Sequence, residues 1–411
     1  MPYLYFEIMP EGDVYTCCPA WLPKPIGNIL KQDKDQIWNS KSAQQIRKSV
    51  TEGSFEFCDK SVCPSLITKT GQVRHISTLS TPCSSSSFKF LKHYPIKNPN
   101  VKKHILDSKF KLNYGPITIR CTFDRSCNLS CPSCRTKPII AKGEDKKKVI
   151  AIIDQINNDY ASDVVQLSIT GSGDPFGSPY FFDWLTNMNL SDFPNLKSIH
   201  LHTNGQLFTK KNWNMLKSIR HVVKSVEISI DACSEKTYSL NRRGGNYKRL
   251  LENLKFISSL KDKRDIRYVR ISFVVQNNNY LEMLSFAKLG NKFKFDDIYF
   301  SKLLNWGTFT DSEYKKRAIH IPTHPNHKHL IEELKKVKEV PKTNIGNLLP
   351  LISVTQEKNS FALEIEKNKK YFKRKLSSIK KKFTNNRISL KVLAFKNLLK
   401  IKKERLKMHQ Q

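Results

Sequence analysis

The sequence predicts an α/β protein: a partial (β/α)6, TIM-like barrel preceded by a small Cys-rich α+β unit and followed by a basic helical tail. Apolar runs of strand length recur at 117–123, 164–169, 198–201, 226–230, 269–275 and 298–304. Helical patterns at 149–156, 213–219, 247–260 and 281–289 fall between them, and such alternation implies a parallel sheet. Ten cysteines form two clumps, one before and one just after the first of these strands, with Cys233 apart. Four segments follow: a Cys-rich module over 1–66, a connector over 67–115, the barrel over 116–330 and a Lys-rich helical extension over 331–411.

In the first segment, residues 3–8 and 13–17 alternate around Pro10-Glu11-Gly12, a hairpin signal. Ile37, Ala43, Ile46 and Val50 then stand near helical spacing, with Gly53 as a stop and Cys58 and Cys63 in a short loop. The connector is polar, with a serine run at 84–87 and little periodicity. In a β/α fold, ligands gather at the C-terminal ends of the strands, so chemistry is sought in the loops that follow them.

The net charge of +35 is unevenly spread. Residues 367–411 hold 17 Lys and Arg against the single acid Glu404, among apolar residues at amphipathic spacing. An anionic partner suits such a tail: a phosphate backbone, a membrane surface, or an acidic leader peptide or protein. The plain reading is compositional, since Lys outnumbers Arg 55 to 16 and lysine runs usually form solvated faces.

No stretch approaches the roughly 18 apolar residues of a transmembrane helix. The N-terminus has no basic region before an apolar one, so no signal peptide and a cytoplasmic setting are expected. In a reducing compartment the cysteines point to metal or catalysis rather than disulfides.

Directly after the first barrel strand comes Cys127-Asn128-Leu129-Ser130-Cys131-Pro132-Ser133-Cys134-Arg135. Three thiols spaced x3 and x2 in one loop suit an iron–sulfur cluster, leaving a fourth iron open to a ligand. The alternative is a zinc site with Cys121 as fourth ligand, because structural zinc prefers a closed tetrahedral shell. A loop at the catalytic end of a β/α fold favours the cluster.

This motif resembles that of the radical S-adenosylmethionine (radical SAM) superfamily, and four later segments strengthen the likeness. Thr170-Gly171-Ser172-Gly173-Asp174-Pro175 after the second strand resembles the Gly-Gly-Glu segment that holds the methionine amino group of SAM, with Asp174 shorter than the usual Glu. His202-Thr203-Asn204-Gly205 after the third resembles a Thr-Asn-Gly turn. Glu227-Ile228-Ser229-Ile230-Asp231, with Tyr238 and Arg242-Arg243-Gly244-Gly245, resembles a segment of peptide-modifying members. The resemblance implies that Cys127, Cys131 and Cys134 hold a SAM-binding [4Fe–4S] cluster. It implies that Gly171, Ser172, Gly173, Asp174, Asn204, Ser229 and Asp231 position SAM, and that Val274 and Gln276 flank its adenine.

The first clump then gains meaning. Asp13-Val14-Tyr15-Thr16-Cys17-Cys18, Gly27-Asn28, Trp38-Asn39-Ser40 and Cys58-x4-Cys63 resemble the SPASM/twitch module, which carries an auxiliary [4Fe–4S] cluster and usually follows the barrel. Cys58 and Cys63 are implied ligands, with Cys17 and Cys18 beside them and Cys83 competing for the fourth place. Adjacent strand residues point to opposite faces, which argues against both Cys17 and Cys18 unless the chain bends.

By this resemblance the chain is an enzyme. It reductively cleaves SAM to a 5′-deoxyadenosyl radical that takes a hydrogen from a peptide or protein, with flavodoxin or ferredoxin as electron donor. Competing readings are a sugar, nucleotide or RNA substrate, and a non-catalytic, metal-stabilised nucleic-acid-binding protein. His320, His324, His327 and His329 are dense enough to suggest metal, yet Thr323-His324-Pro325 reads as a helix start.

Overall fold

The computed structural model describes residues 1–60, 63–67 and 99–352. The basic tail, Cys83 and most of the connector lie outside the described residues. Ten strands form one sheet: β1 (Tyr5–Ile8), β2 (Asp13–Tyr15), β3 (Gly27–Asn28), β4 (Thr118–Cys121), β5 (Gln166–Ile169), β6 (Ser198–Thr203), β7 (Val223–Ser229), β8 (Tyr268–Val275), β9 (Asp297–Lys302) and β10 (Thr343–Asn344). The six expected strands are β4 to β9, adjacent in chain order and all parallel. Their order runs β10-β9-β8-β7-β6-β5-β4-β1-β2-β3, leaving β10 and β3 at the edges.

The N-terminal hairpin is part of this sheet. β1 lies parallel to β4, with Glu7 beside Arg120, and turns back antiparallel into β2 and β3. Its helical stretch is two helices rather than one, Lys34–Trp38 and Lys41–Thr51. Ser40 ends the continuity by capping the second, accepting from the Ala43 backbone N–H. Arg47, fully buried, ties the module together by donating to the carbonyls of Pro2, Trp38 and Phe110.

Side-chain alternation along the strands gives the sheet two unlike faces. Ile119, Leu167, Ile199, Val226, Ile271 and Phe300 lie on one face, all buried. Helices pack there: Gly143–Gln155 buries Val149, Ile152 and Ile153, and Tyr247–Asp262 buries Leu250, Leu254, Ile257 and Leu260. Each such side chain contributes about 1.5–3 kcal/mol relative to exposure. The opposite face is polar, with Glu7, Arg120, Ser168, His200 and Ser225 in one register row and Glu227, Arg270 and Asp297 in another.

Past the expected end of the barrel, helix His327–Lys338 buries Leu330, Leu334 and Val337, so position 330/331 falls within a helix. Thr343–Asn344 then adds the short edge strand β10. The helix starts two residues later than Pro325 suggests, because His324 Nδ1 accepts from the Asn326 N–H in a turn. No helix among the described residues is long and apolar enough to cross a membrane.

Candidate active site

β4 ends at Cys121, wholly buried, and the loop after it is pinned at several points. Asp124, also wholly buried, accepts from the Ser126 N–H at 2.8 Å and from the Ser178 hydroxyl. Cys127 forms a two-bond bridge with Ile139, and the Cys131 carbonyl accepts from the N–H groups of Cys134 and Arg135 at 2.9 Å. Cys127 and Cys131 are thereby buried while Cys134 is exposed.

Each of the three thiols faces an N–H donor of its own. Asn204 Nδ2, from the loop after β6, lies 3.7 Å from Cys127 Sγ. Arg242 Nη1, from the segment after β7, lies 3.8 Å from Cys131 Sγ. Arg135 Nη2 lies 3.2 Å from Cys134 Sγ, and its guanidinium also donates to the carbonyls of Arg125 and Ser172. Burial pushes the Cys127 thiol up to about 11 and raises Cys131 as well, with Arg242 opposing the rise at Cys131. Buried thiols without metal are therefore protonated, and donors aimed at sulfur serve them best as thiolates, the form a metal enforces.

Among the described residues no three His, Cys, Asp or Glu side chains converge on a point where a single ion would sit. Three thiols with N–H donors aimed at their sulfurs fit an iron–sulfur cluster, in which each thiolate binds a separate iron. Cys121, at the end of β4, is buried, and burial raises its thiol. The histidines are used singly: His324 Nε2 meets the Lys316 carbonyl and His327 Nδ1 the Ile319 carbonyl.

The residues after β5 are placed at the Cys loop, but two of their side chains are already engaged. Asp174 is wholly buried; one oxygen accepts from the N–H groups of Phe176 and Gly177, the other from Thr203 Oγ1 and the Asn204 N–H, at 2.7–3.0 Å. Through these four protein donors it braces the β5 loop to the β6 loop. Ser172 Oγ likewise donates to the carbonyl of Thr122. Gly173 is required by close packing, since a Cβ there would stand 2.5 Å from the Asp124 carbonyl oxygen. A Cβ on Gly171 would stand 2.7 Å from the Arg120 guanidinium.

Asn204 bridges Cys127 to Asn128, donating to its side-chain oxygen at 2.9 Å. Ser229 Oγ sits between His202 Nε2 at 2.9 Å and Ser272 Oγ at 3.2 Å. Asp231 adopts a left-handed backbone, φ +58°, held by the Arg242 guanidinium at 2.7 Å and the Val274 N–H at 2.7 Å. Burial raises the Asp231 carboxyl while Arg242 pulls it down. Nearby Gln276 Oε1 and Arg242 Nε are buried without a hydrogen-bond partner, spare polar atoms of the kind a bound ligand would use.

In the N-terminal module Cys17, Cys58 and Cys63 come together: burial raises Cys17 and lifts Cys58 to about 11, and the three thiols also act electrostatically on one another. Cys18 faces elsewhere. Burial first, then the charge of Glu7, pushes it to about 12, and Arg120 partly offsets this. β2 ends at Tyr15, so Cys17 and Cys18 lie beyond the strand and alternation does not decide between them; what differs is their surroundings.

That face is what sequence reasoning missed. Arg270 pairs with Asp297 at 2.7 Å and Glu227 at 3.5 Å, and His202 Nε2 lies 3.9 Å from Glu227. Burial works to raise Glu227, but His202, Arg270 and His200 hold it down at about 2. Burial lowers His200 to about 3. The signal lay in the strands themselves: Glu227-Ile-Ser-Ile and Arg270-Ile-Ser alternate, whereas strands buried on two apolar faces read as continuous apolar runs.

Comparison with known proteins bears on this arrangement. The model of the radical SAM superfamily matches residues 122–285, and that of the SPASM iron–sulfur cluster-binding domain matches residues 1–64. No curated protein matches the sequence. Similar solved structures include SuiB of Streptococcus suis bound to S-adenosylmethionine, at 17% identity and TM-score 0.40, covering 61% of this chain and 55% of that one. SuiB bound to its precursor peptide SuiA is similar at 14% identity and TM-score 0.39, covering 84% and 71%. The methyltransferase TsrM of Kitasatospora setae, with cobalamin and a [4Fe–4S] cluster, is similar at 12% identity and TM-score 0.35, covering 46% and 37%. The chain spans about half the length of the SAM-bound SuiB chain. At these scores the structural likenesses decide nothing about activity. The two sequence models imply a [4Fe–4S] cluster and SAM at the β/α domain and an auxiliary cluster in the N-terminal domain.

Proposed function

We propose that this chain, which belongs to the radical SAM superfamily and carries its SPASM domain at the N-terminus, is an enzyme that abstracts hydrogen from a peptide or protein. The observation that carries this reading is the set of three N–H donors, from three different loops, each aimed at one thiol after β4. Cys127, Cys131 and Cys134 would hold a [4Fe–4S] cluster there, which when bound would supply the one electron that cleaves the sulfonium of SAM to methionine and a 5′-deoxyadenosyl radical.

Cys127, Cys131 and Cys134 are the ligands in this reading, and Asn204, Arg242 and Arg135 compensate their negative charge. Hydrogen bonds to sulfur and local positive charge make a cluster easier to reduce. Gly171 and Gly173 keep the β5 loop close to the Cys loop, and Asp174 holds both against the β6 turn. Asp231, fixed by Arg242, and Gln276, with its spare oxygen, would meet the nucleoside part of SAM. The polar face of β4 to β9, curled as a partial barrel, receives and orients the substrate and excludes stray water. Cys17, Cys58 and Cys63 hold the auxiliary cluster, with Cys18 outside the set. The nine described cysteines form no disulfide with one another, and the reading takes a reducing, cytoplasmic setting with flavodoxin or ferredoxin as donor.

The reading is tested by anaerobic reconstitution with iron and sulfide, reduction, and chromatography of the products of SAM. Wild type is expected to form 5′-deoxyadenosine and methionine in equal amounts. A fully loaded protein that forms neither contradicts the assignment. A peptide substrate is supported by capture of radioactive or deuterium label from a peptide into 5′-deoxyadenosine, and opposed by capture only from a sugar or RNA.

A further inference from the structure

Reduction of a cluster at Cys127, Cys131 and Cys134 requires an electron to enter through the protein surface, and the three thiols differ in access. Cys127 and Cys131 are buried, whereas Cys134 is exposed, followed by exposed Thr136, Lys137 and Pro138. Pro132, between the last two cysteines, forms one wall of a groove of about 520 Å³. Leu240, 54% exposed at the end of helix Glu235–Asn241, and Asn278, beyond the end of β8, line it too.

The groove's charge is predominantly positive. Arg243, Lys316 and Arg317 line it, with Glu313 as the opposing acid. Glu313 is engaged with Arg317 at 3.0 Å, leaving Arg243 and the exposed Lys316 in excess. Arg243 also belongs to the Cys loop: its Nε lies 3.2 Å from Ser130 Oγ and its Nη2 2.9 Å from the Thr136 carbonyl. A cationic rim around one exposed leucine, at the accessible edge of the cluster loop, has the chemistry of a transient electron-transfer interface. Such interfaces are small, and charge complementarity sets their encounter rate.

Resting on the radical SAM reading above, we propose that this groove docks the electron donor, a small acidic one-electron carrier protein. The donor would pass a single electron to the cluster at the Cys134 edge, becoming oxidised as the cluster is reduced, with no bond made or broken. Arg243, Lys316 and Arg317 would meet its acidic rim, and Leu240 and Pro132 its apolar centre.

The test follows cluster reduction by stopped-flow absorbance on the reconstituted full chain, using a photoreduced acidic flavodoxin or, separately, dithionite. The variants are Lys316→Glu and Glu313→Gln, neither of which touches a cysteine of the loop. At low salt, Lys316→Glu should slow reduction by flavodoxin about tenfold, at the lower end of electrostatic steering effects, and Glu313→Gln should speed it. Both differences should shrink as salt is added, and dithionite should reduce all three proteins at one rate. Flavodoxin rates equal in all three proteins at low salt would overturn the proposal. So would a variant slowed equally with dithionite, which would assign the groove to SAM or substrate instead. A wild type whose iron dithionite cannot reduce would remove the radical SAM reading, and the docking proposal with it.

Discussion

After β4, every thiol of the cluster loop meets an N–H group, at Cys127 and Cys131 from another part of the fold and at Cys134 from the adjacent Arg135, and two of the three donors are guanidinium groups. In the N-terminal module, burial raises Cys17 while the chain's amino terminus and Trp21 ease it, and Cys58 is raised by burial and by Cys17 and Cys63 while Lys60 eases it. The first arrangement tolerates added negative charge and leaves one thiol at the surface. The second leaves Cys17 and Cys58 half-buried and Cys63 buried, and it is eased by the amino terminus, Trp21 and Lys60 rather than by guanidinium groups. Hydrogen bonds and positive charge raise a cluster's potential, whereas burial among like charges lowers it. On the function proposed above, the two regions take different tasks: accepting an external electron to cleave SAM, and holding or relaying charge beside the substrate.

Separating the two thiol sets by mutation should produce the largest effect. Cys127→Ala, Cys131→Ala and Cys134→Ala together should abolish 5′-deoxyadenosine formation. Cys58→Ala with Cys63→Ala should leave cleavage of SAM measurable while abolishing substrate modification. Product chromatography distinguishes these outcomes, and equal loss in both variants would erase the proposed division.

Asp174 sharpens the contrast from the structural side. Asp174→Ala removes an acceptor shared by four donors in a fully buried position and should cost about 3 kcal/mol in urea unfolding of the protein. If Asp174 served mainly to bind SAM, stability would hardly change and only SAM affinity would fall.

The polar face between the two regions carries a pH dependence. His200 is lowered to about 3 by burial, so between its ordinary value of 6.5 and about 3 the unfolded chain binds a proton that the folded chain does not. Stability therefore falls as pH drops through this window, by at most about 1.4 kcal/mol per pH unit from this residue. His202, lowered by burial as well, adds to the fall. Glu227, held at about 2, adds only below the ordinary carboxylate range. Between pH 6.5 and 5, His200→Gln should lose stability less steeply than wild type in urea titrations; parallel slopes would show that His200 is protonated in the fold.

The smallest effect is expected at Cys18. Cys18→Ser should keep the iron content of wild type, whereas Cys17→Ser should lose auxiliary iron. Iron loss in Cys18→Ser would return it to the ligand set.

Much of this arrangement was legible in the sequence. The strands β4 to β9 follow apolar runs of strand length, and the Cys loop announces itself by spacing and by its place after a strand. The alternation rule, by contrast, does not reach Cys17 and Cys18, because β2 ends at Tyr15. What was hidden depends on contacts distant in sequence. Nothing local in Tyr5–Ile8 signals a parallel pairing with Thr118–Cys121, more than a hundred residues away. The acceptors of Asp174 are visible in sequence, whereas the four donors that engage them are not. Arg242 lies in a segment already singled out, but its reach to both Asp231 and Cys131 depends on how the chain turns after β7. The helix break at Ser40 was missed because one capping side chain outweighs a continuous apolar pattern.

The central claim is that two separate thiol sets each hold a cluster. Its most direct test is iron and acid-labile sulfide analysis, with electron paramagnetic resonance of the reduced protein, on wild type and the Cys127/Cys131/Cys134→Ala variant. Two [4Fe–4S] clusters predict roughly eight irons in the wild type and about four in the variant, which should lose the signal that SAM perturbs. Retention of all the iron in the variant, or zinc in place of iron in the wild type, would contradict the account.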